Sequence, residues 1–580
     1  MRPARAGRRT PRRSAPARPA GRPSGATPAS ADRDGHPALF VLGGLLVLGL
    51  FAWQAWYFRG WTVDDAAISY RYARNLAHGL GLVFNPGFEG EPVEGFTNLL
   101  WVLWTAPCFW LRLDPVAWSK LWGLLSGCGV LLLLGAIGRR DRLWAPLVWV
   151  PALLTASHPA FAAWSVAGLE MSFFTFWLVA AFAALRFERR GLAALCGALA
   201  LLTRPEAALF LALLAMVDVL DGTGPPRSRV LALRWMGPIV LVGLGLACFR
   251  AIYFHALVPN TYLVKGSITP ESIRAGWVYV GGMLGVAHLG VVAAIVVTGA
   301  AILAPRWRNE RSSSPRRTAL LFGVSMTLAC AAYLVAIGGD FMGLYRLFVP
   351  ALPFLYLATA IVVEALPARG AARAARFLAL ALLIAVSGDA VRQRVRFADY
   401  THVGEAIGRV QGDIATYLKG HARPGDEVIA QDMGFLPFLA GDLTFVDVIG
   451  LCNRRVAREV SAARHDYYAV VPPADVAATR RSETMDRHIR DYLFSRRARW
   501  ILIPAALPRR VWSTEQAARS LESIDLGRYD GVLDPAFSHN HFFHGLYGDP
   551  RMKAAYAPVT AWVWSREYVY VLWERRGAGS

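Results

Sequence analysis

The chain has 580 residues, of which 55% are hydrophobic and only 18% are charged, a composition that excludes an ordinary soluble enzyme. Its formal net charge is +21, but the basic residues lie mostly in an N-terminal tail and in short loops between apolar runs, which indicates membrane topology and not nucleic-acid binding. The apolar runs reach about 20 residues, the length that crosses a hydrocarbon core of roughly 30 Å. We therefore predict a polytopic α-helical membrane protein.

The N-terminal segment, 1–36, is rich in Arg, Pro, Ala and Gly and cannot form a packed core, so we expect a disordered tail. By the positive-inside rule this basic tail lies in the cytoplasm. The apolar run that follows, 37–57, has no small-residue cleavage site after it, so we predict an uncleaved first span. The polar segment 58–115 is then the first loop on the outer face.

The short apolar segment 97–113 is predicted to lie flat on the outer membrane surface. It contains Trp101, Trp104, Trp110 and a central proline, and counting it as a span would put the basic loop 139–142 outside. The other apolar segments bring the predicted number of spans to about eleven and place the C-terminus outside. They are 116–137, 143–160, 169–187, 191–203, 205–221, 233–254, 276–304, 317–336, 346–365 and 375–390.

The C-terminal part, 391–580, has shorter hydrophobic runs and is predicted to form a soluble α/β domain on the outer face. Strands are expected at 427–431, 444–449 and 500–504, and the alternating pattern of 559–575 is typical of a hairpin. Aromatic side chains that would suit a glycan-binding role are Tyr467, Tyr468, Trp562 and Trp564.

Two adjacent carboxylates, Asp64 and Asp65, open the first outer loop just before an amphipathic helical pattern. They could cap that helix, because carboxylates favour the positive end of the helix dipole. A doublet also incurs like-charge repulsion that capping does not require, and this favours a catalytic function for the pair. The helix end favours the ionised form and the neighbouring carboxylate disfavours it, so the sequence does not say which effect prevails or which aspartate acts.

Three basic side chains on the same outer surface are candidates for binding a phosphate group. Arg71 follows the acidic pair and is either a bidentate phosphate contact or a cation that snorkels to the membrane surface. Lys265 is notable because the chain has only four lysines. Arg346 is the third candidate, and its alternative is a plain salt bridge with Asp340.

Polar side chains in the outer loops are candidates for binding substrate, and for each of them a purely structural role is the alternative. They are Tyr72, Glu94, Asn98, Glu170, Asn260 and Asp340.

A cluster near the C-terminus, His539, His541, His544 and Asp549, has no spacing typical of a metal site. Phosphate-binding and dinucleotide-binding glycine motifs are also missing from the sequence. No metal site and no cofactor is therefore predicted, and the sequence leaves open whether a divalent cation assists.

Motifs spread from about residue 61 to residue 452 resemble the bacterial membrane glycosyltransferases of the GT-C class, in particular the terminal arabinofuranosyltransferases of the mycobacterial cell wall. Met171 and Ala207 depart from the expected pattern, in which Thr and Gly are common. The motifs are DDAAISYRYARNLAHGLGLVFNPG, EPVEGFTNLLW, AGLEMSFF, LTRPEA, PNTYLVK, GGDFMGLYRLFVPALP, PGDEVIAQDMGFLPFLAG and VDVIGL.

The resemblance implies a GT-C transmembrane domain over 37–390 and an inverting transfer from a polyprenyl-phosphate sugar, with arabinofuranose as the candidate sugar. The acceptor would be a cell-envelope glycan or a lipid-linked acceptor, and a first-loop aspartate would act as the base. The protein would lie in the bacterial inner membrane, with its C-terminal domain periplasmic or extracellular.

Two other functions are alternatives to this one. A non-catalytic envelope protein could bind a lipid-linked glycan with the same scaffold, although it would not need the acidic pair. A transporter is disfavoured, because the predicted spans lack the intramembrane acids of a proton relay.

Overall fold

The computed structural model describes most of the chain and shows a helical protein with one small sheet near the C-terminus. The predicted tail, the three histidines at 539, 541 and 544, and three of the four candidate glycan-binding aromatics (467, 468 and 564) lie outside the described residues. The described residues are 37–90, 92–220, 233–266, 268–309, 315–340, 342–366, 370–463, 476–506, 546, 549–563 and 568–577.

The helices are numbered here in chain order. They are α1 (Pro37–Tyr57), α2 (Ala66–Ala77), α3 (Leu99–Trp110), α4 (Pro115–Arg140), α5 (Val150–Ser157), α6 (Pro159–Val166), α7 (Met171–Arg186), α8 (Arg190–Thr203), α9 (Ala207–Leu220), α10 (Met236–Tyr253), α11 (Asn260–Lys265), α12 (Pro270–Gly285), α13 (Leu289–Asn309), α14 (Pro315–Ala336), α15 (Leu352–Glu364), α16 (Gly370–His421), α17 (Phe435–Leu439), α18 (Arg454–Ala462), α19 (Val476–Ser495) and α20 (Pro550–Ala555).

Within the described residues, seven helical segments are long and apolar enough to cross a membrane. The pair Ala145–Ser157 and Pro159–Val166, bent by 62°, would make an eighth. The polytopic helical architecture is confirmed. The other three predicted spans coincide with α7, α8 and α9, which have 16, 14 and 14 residues. At about 1.5 Å per residue these helices are shorter than the hydrocarbon core, so length alone supports fewer spans than the eleven predicted.

The predicted strands are confirmed as parts of one five-stranded mixed sheet with the order β2-β1-β3-β5-β4. Strand β1 is parallel to β2 and β3, whereas β5 is antiparallel to β3 and β4. The strands are β1 (Glu427–Ala430), β2 (Thr444–Asp447), β3 (Trp500–Ala506), β4 (Tyr556–Val563) and β5 (Tyr568–Arg575).

Helix α16 crosses the predicted domain boundary at residue 391 without a break. It has 52 residues and runs from Gly370 to His421. The sequence became more polar at that point, but a helix that leaves an apolar environment needs no interruption. The last apolar segment and the polar segment that leads to the C-terminal sheet therefore belong to one continuous helix.

Helix α2 packs into two hydrophobic cores at once. Ala67 and Tyr70 belong to the core of the apolar helices, whereas Ile68, Tyr72 and Ala73 belong to a core shared with the C-terminal sheet. The amphipathic pattern of this helix thus reflects two apolar neighbours. This arrangement places the acidic pair, just before α2, between the helical part of the molecule and the sheet.

The predicted surface helix is confirmed as a helix, α3, but its tryptophans do not share one environment. Trp101 is fully buried and donates to the main-chain oxygen of Gly168 at 3.2 Å, whereas Trp110 is 66% exposed. Its position relative to a membrane stays a prediction.

Candidate active site

Neither carboxylate of the acidic pair caps helix α2. Asp65 occupies the N-cap position with helical backbone angles and makes no side-chain capping bond. Asp64 Oδ1 instead accepts a hydrogen bond from the main-chain N–H of Phe435, at 2.8 Å. Neither side chain therefore makes the capping hydrogen bond that the sequence left open as an alternative.

The side chain of Asp64 faces the C-terminal domain. Burial and the negative charge of Asp432 raise the pKa of Asp64 to about 8, against the lowering effect of the hydrogen bond from Phe435. Beside it, the hydroxyl of Tyr570, on strand β5, donates to Asp432 Oδ2. Asp64 therefore binds its proton far more tightly than an exposed aspartate does.

The side chain of Asp65 faces a different group of charges. Burial raises its pKa, and the positive charges of Lys265 and Arg346 act in the opposite direction. The negative charges of Asp340 and Glu170 also lie close enough to raise this pKa. The two neighbouring aspartates thus have distinct surroundings, which the sequence could not show.

A network of buried ion pairs surrounds Asp65. Arg346 Nε lies 2.9 Å from Asp340 Oδ2, the salt bridge that the sequence left open as an alternative. Arg204 joins Glu170, at 2.5 Å, and Glu206, at 2.6 Å. All five side chains are at most 12% exposed, so these charges are held in fixed positions away from bulk water.

Asn98 extends this network toward the first loop. Its Nδ2 donates to Glu170 Oε2 at 2.7 Å, and Ser69 Oγ, on helix α2, donates to Asn98 Oδ1 at 3.3 Å. The structure therefore brings together the candidates Asp65, Asn98 and Glu170 with Lys265 and the Arg346 pair.

Arg71 lies apart from this network and is only 1% exposed. It donates to Asn85 Oδ1 at 3.0 Å and to the main-chain oxygens of Phe84 at 2.7 Å, Leu443 at 3.1 Å and Pro437. These acceptors occupy the guanidinium and tie the first loop to the C-terminal domain. With these acceptors in place, Arg71 is a less suitable phosphate contact than Lys265 and Arg346.

The remaining three candidates make structural contacts. Tyr72 donates its hydroxyl to the main-chain oxygen of Val93 at 2.6 Å. Glu94 accepts from Arg250 in a buried bidentate pair, with distances of 2.9 to 3.0 Å. The amide of Asn260 donates to the main-chain oxygen of Gly450 at 3.2 Å. The first contact lies within segment 58–115, the second joins this segment to helix α10, and the third reaches the C-terminal part of the chain.

Sequence reasoning missed three residues of the site: Arg204, Asp432 and Tyr570. Arg204 lies between the predicted spans 191–203 and 205–221, and nothing in its local sequence indicates its partner Glu170. Asp432 follows the carboxyl end of parallel strand β1, where functional side chains often lie, and this signal was available. Nothing local to Tyr570 indicates its function, because its partner is 138 residues away.

No group of three or more His, Cys, Asp or Glu side chains in the described ranges is arranged to hold a metal ion.

Comparison with known proteins gives one family model, described as "Domain of unknown function (DUF8728)", which matches residues 399–571. A protein of Mycobacterium tuberculosis named terminal beta-(1->2)-arabinofuranosyltransferase is 32% identical over 259 residues, or 40% of this chain and 39% of the relative. A protein of Corynebacterium glutamicum with the same name is 27% identical over 350 residues, or 51% of this chain and 47% of the relative.

This chain is similar to terminal arabinofuranosyltransferases. The resemblance that the motifs indicated is thereby confirmed, although the aligned part spans less than half the length of either relative.

Comparison with solved structures gives matches that share little sequence with this chain. The alignment with ArnT from Cupriavidus metallidurans covers 92% of this chain and 97% of the ArnT chain, with a TM-score of 0.48 and 13% identity. The alignment with the arabinofuranosyltransferase AftD from mycobacteria covers 93% of this chain and 40% of the AftD chain, with a TM-score of 0.43 and 14% identity.

Proposed function

We propose that this protein is a membrane glycosyltransferase that moves a sugar from a polyprenyl-phosphate donor to a cell-envelope glycan or a lipid-linked acceptor, with inversion at the anomeric carbon. The observation that carries the proposal is the divergence of the acidic pair. Asp65 faces buried cations, whereas Asp64 faces the C-terminal domain. The names of the two arabinofuranosyltransferase relatives favour arabinofuranose as the sugar.

Lys265 and Arg346 are the proposed contacts of the donor phosphate. Cations that are buried and held by carboxylates are already oriented before substrate binds, so they stabilise the charge of a departing phosphate without reorganisation. Asp340 orients Arg346 through the 2.9 Å contact, and Asp65 offsets the charge of both cations. Asn98 and Glu170 hold the neighbouring side of the network.

Asp64 is the proposed general base. An inverting displacement needs the base and the leaving phosphate on opposite faces of the sugar, and the two aspartates have different neighbours that could serve these two functions. A base is most effective when its pKa is near the working pH, and burial raises the pKa of Asp64 toward that range. The acceptor hydroxyl would approach from the side of the C-terminal domain, which is the proposed holder of the acceptor glycan.

The proposed location is the bacterial inner membrane, with the N-terminus in the cytoplasm and the C-terminal domain outside. The distribution of basic loops supports this orientation. A reporter enzyme fused after the last residue should be active only when it is outside the cytoplasm. Activity of a cytoplasm-specific reporter at that position would reverse the proposed orientation.

Transfer from a panel of radiolabelled polyprenyl-phosphate sugars to a crude envelope glycan fraction tests the function. We expect transfer by the wild type, and a loss of about 10²–10⁴-fold in the Asp64→Asn variant, because a positioned base contributes that much. Asp65→Asn should lower the rate and also weaken donor binding. Glu188→Gln, at a side chain that is 86% exposed, is the control and should be fully active.

Full activity in both aspartate variants would remove the proposal. Tight binding of a labelled donor that is never consumed would instead favour a non-catalytic protein that binds lipid-linked glycan.

A further inference from the structure

Three distant parts of the chain meet at Asp64. The first outer loop supplies Asp64 itself, the segment after strand β1 supplies Asp432 and the N–H of Phe435, and strand β5 supplies Tyr570. The main chain comes so close that a methyl group added at Gly434 would overlap both the main-chain oxygen and Oδ1 of Asp64. The C-terminal domain is therefore in direct contact with the proposed base.

Tyr570 holds Asp432 in its position. Burial and the charge of Asp432 raise the pKa of this tyrosine well above its ordinary value, so its hydroxyl keeps its proton and donates it to Asp432 Oδ2. A hydrogen bond of this kind stabilises the ionised form of a carboxylate. A negative charge at Asp432 increases the affinity of Asp64 for a proton.

Other groups that face Asp64 have smaller effects on it. Asp65, on the same loop, adds a weaker repulsion, and the N–H of Phe435 and the side chain of Gln411 stabilise the ionised form. Gln411 is itself fixed, because its Oε1 accepts from the main-chain N–H of Leu436 at 3.0 Å.

We propose that Asp432 and Tyr570 are positioning residues of the C-terminal domain that adjust the proton affinity of the base Asp64, so that this domain is part of the catalytic centre. The inference rests on the proposed function only for the identity of the reaction.

In the proposed transfer, one bond to the anomeric carbon forms as another breaks. The acceptor oxygen forms a bond to the anomeric carbon while the bond to the phosphate oxygen breaks, and the phosphate leaves with that electron pair. The acceptor proton passes to Asp64 and is later released to water. A negative charge at Asp432 makes Asp64 a stronger base for this transfer, at the cost of a smaller ionised fraction at low pH.

The test is the pH profile of kcat/KM in wild type, Asp432→Asn and Tyr570→Phe. Removing the charge of Asp432 should move the acid limb of the profile to lower pH by about one unit, the size typical of a nearby like charge. Tyr570→Phe should move it in the same direction by less, because Asp432 then loses the hydrogen bond that holds it beside Asp64.

Tyr556→Phe is the matched control. Tyr556 is also a buried tyrosine of the same sheet, and it donates to the main-chain oxygen of Ala498 at 2.7 Å, away from Asp64. It should lose stability to a similar extent and leave the pH profile unchanged. A shift of the same size in this control would show a structural effect and would overturn the inference.

An infrared titration of the protonated carboxyl band of Asp64, taken as the difference between wild type and Asp64→Asn, gives a second readout that needs no turnover. A midpoint that falls in Asp432→Asn supports the inference even when no transfer is found, in which case only the proposed function fails. An unchanged midpoint overturns the inference even when transfer is observed.

Discussion

The main-chain N–H of Phe435 donates to Asp64 Oδ1 at 2.8 Å, although 371 residues separate the two along the chain. This bond joins the first outer loop to the helix that follows strand β1. Arg71 reinforces the same junction through the main-chain oxygens of Pro437 and Leu443. The loop with the acidic pair and the C-terminal domain therefore form one unit.

The first prediction concerns the pH dependence of stability. Because burial raises the pKa of Asp64 from 3.8 to about 8, the folded state binds this proton more tightly than the unfolded state. The resulting stabilisation is complete below about pH 4 and is lost as the pH rises through about 8. Asp64→Asn cannot ionise, so its melting temperature should rise relative to wild type as the pH is raised from about 6 to about 9.

Thermal unfolding in detergent at several pH values measures this difference. Glu188→Gln serves as the control, because its exposed carboxylate should give a constant difference across the range. A melting difference for Asp64→Asn that shrinks with rising pH would contradict the prediction.

The second prediction compares a buried ion pair with an exposed one. Arg250 and Glu94 have side chains that are 9% and 3% exposed, whereas Arg140 and Glu188 are 47% and 86% exposed. Glu94→Gln leaves a buried guanidinium without its countercharge and should cost about 3–5 kcal/mol of unfolding free energy. The matched substitution Glu188→Gln should cost at most about 1 kcal/mol, and equal costs would refute the structural role of Glu94.

The elements that sequence analysis predicted well are those with a local signal. Apolar runs of span length gave the long helices, and alternating patterns with turn residues gave all five strands. The acidic pair was found because two adjacent carboxylates beside an apolar segment are costly. Periodicity also gave helix α2, but not the fact that it has apolar neighbours on two sides, because one of them lies more than 350 residues away.

The residues whose contacts the sequence does not reveal are those whose partners are distant along the chain. Arg71 has the local sequence of a surface cation. It nevertheless donates to four acceptors, two in its own loop and two in the C-terminal part of the chain. Tyr570 carries no local sign of its hydrogen bond to Asp432, and the position of Asp432 after strand β1 does not show that it lies beside Asp64. The predicted boundary at residue 391 followed a change in composition, which does not report on the continuity of hydrogen bonds within helix α16.

The third prediction separates a structural arginine from a phosphate-binding one. Arg71→Lys keeps the charge but cannot reach four acceptors in a planar arrangement, so it should lose more than about 2 kcal/mol of unfolding free energy and leave the donor KM unchanged. Arg346→Lys should raise the donor KM. Chemical denaturation and donor-dependence kinetics measure the two effects, and a raised donor KM in Arg71→Lys would return that residue to the phosphate site.

The fourth prediction tests the close contact between the domain and the acidic pair. A methyl group on Gly434 would overlap the main-chain oxygen and Oδ1 of Asp64, so Gly434→Ala must push the C-terminal domain away from the base. We expect transfer to fall at least about tenfold, because small displacements of a catalytic group are costly. Gly412→Ala, on helix α16 with no atom within 4 Å of the added carbon, is the matched control and should be as active as wild type.

The control should also be slightly more stable, by about 1 kcal/mol, because alanine is a better helix former than glycine. The acid limb of the pH profile distinguishes two causes of lost activity in Gly434→Ala. Separation of Asp432 from Asp64 moves that limb to lower pH, whereas general unfolding lowers the rate equally at every pH. Wild-type activity in Gly434→Ala would mean that the base functions without its contact with the C-terminal domain.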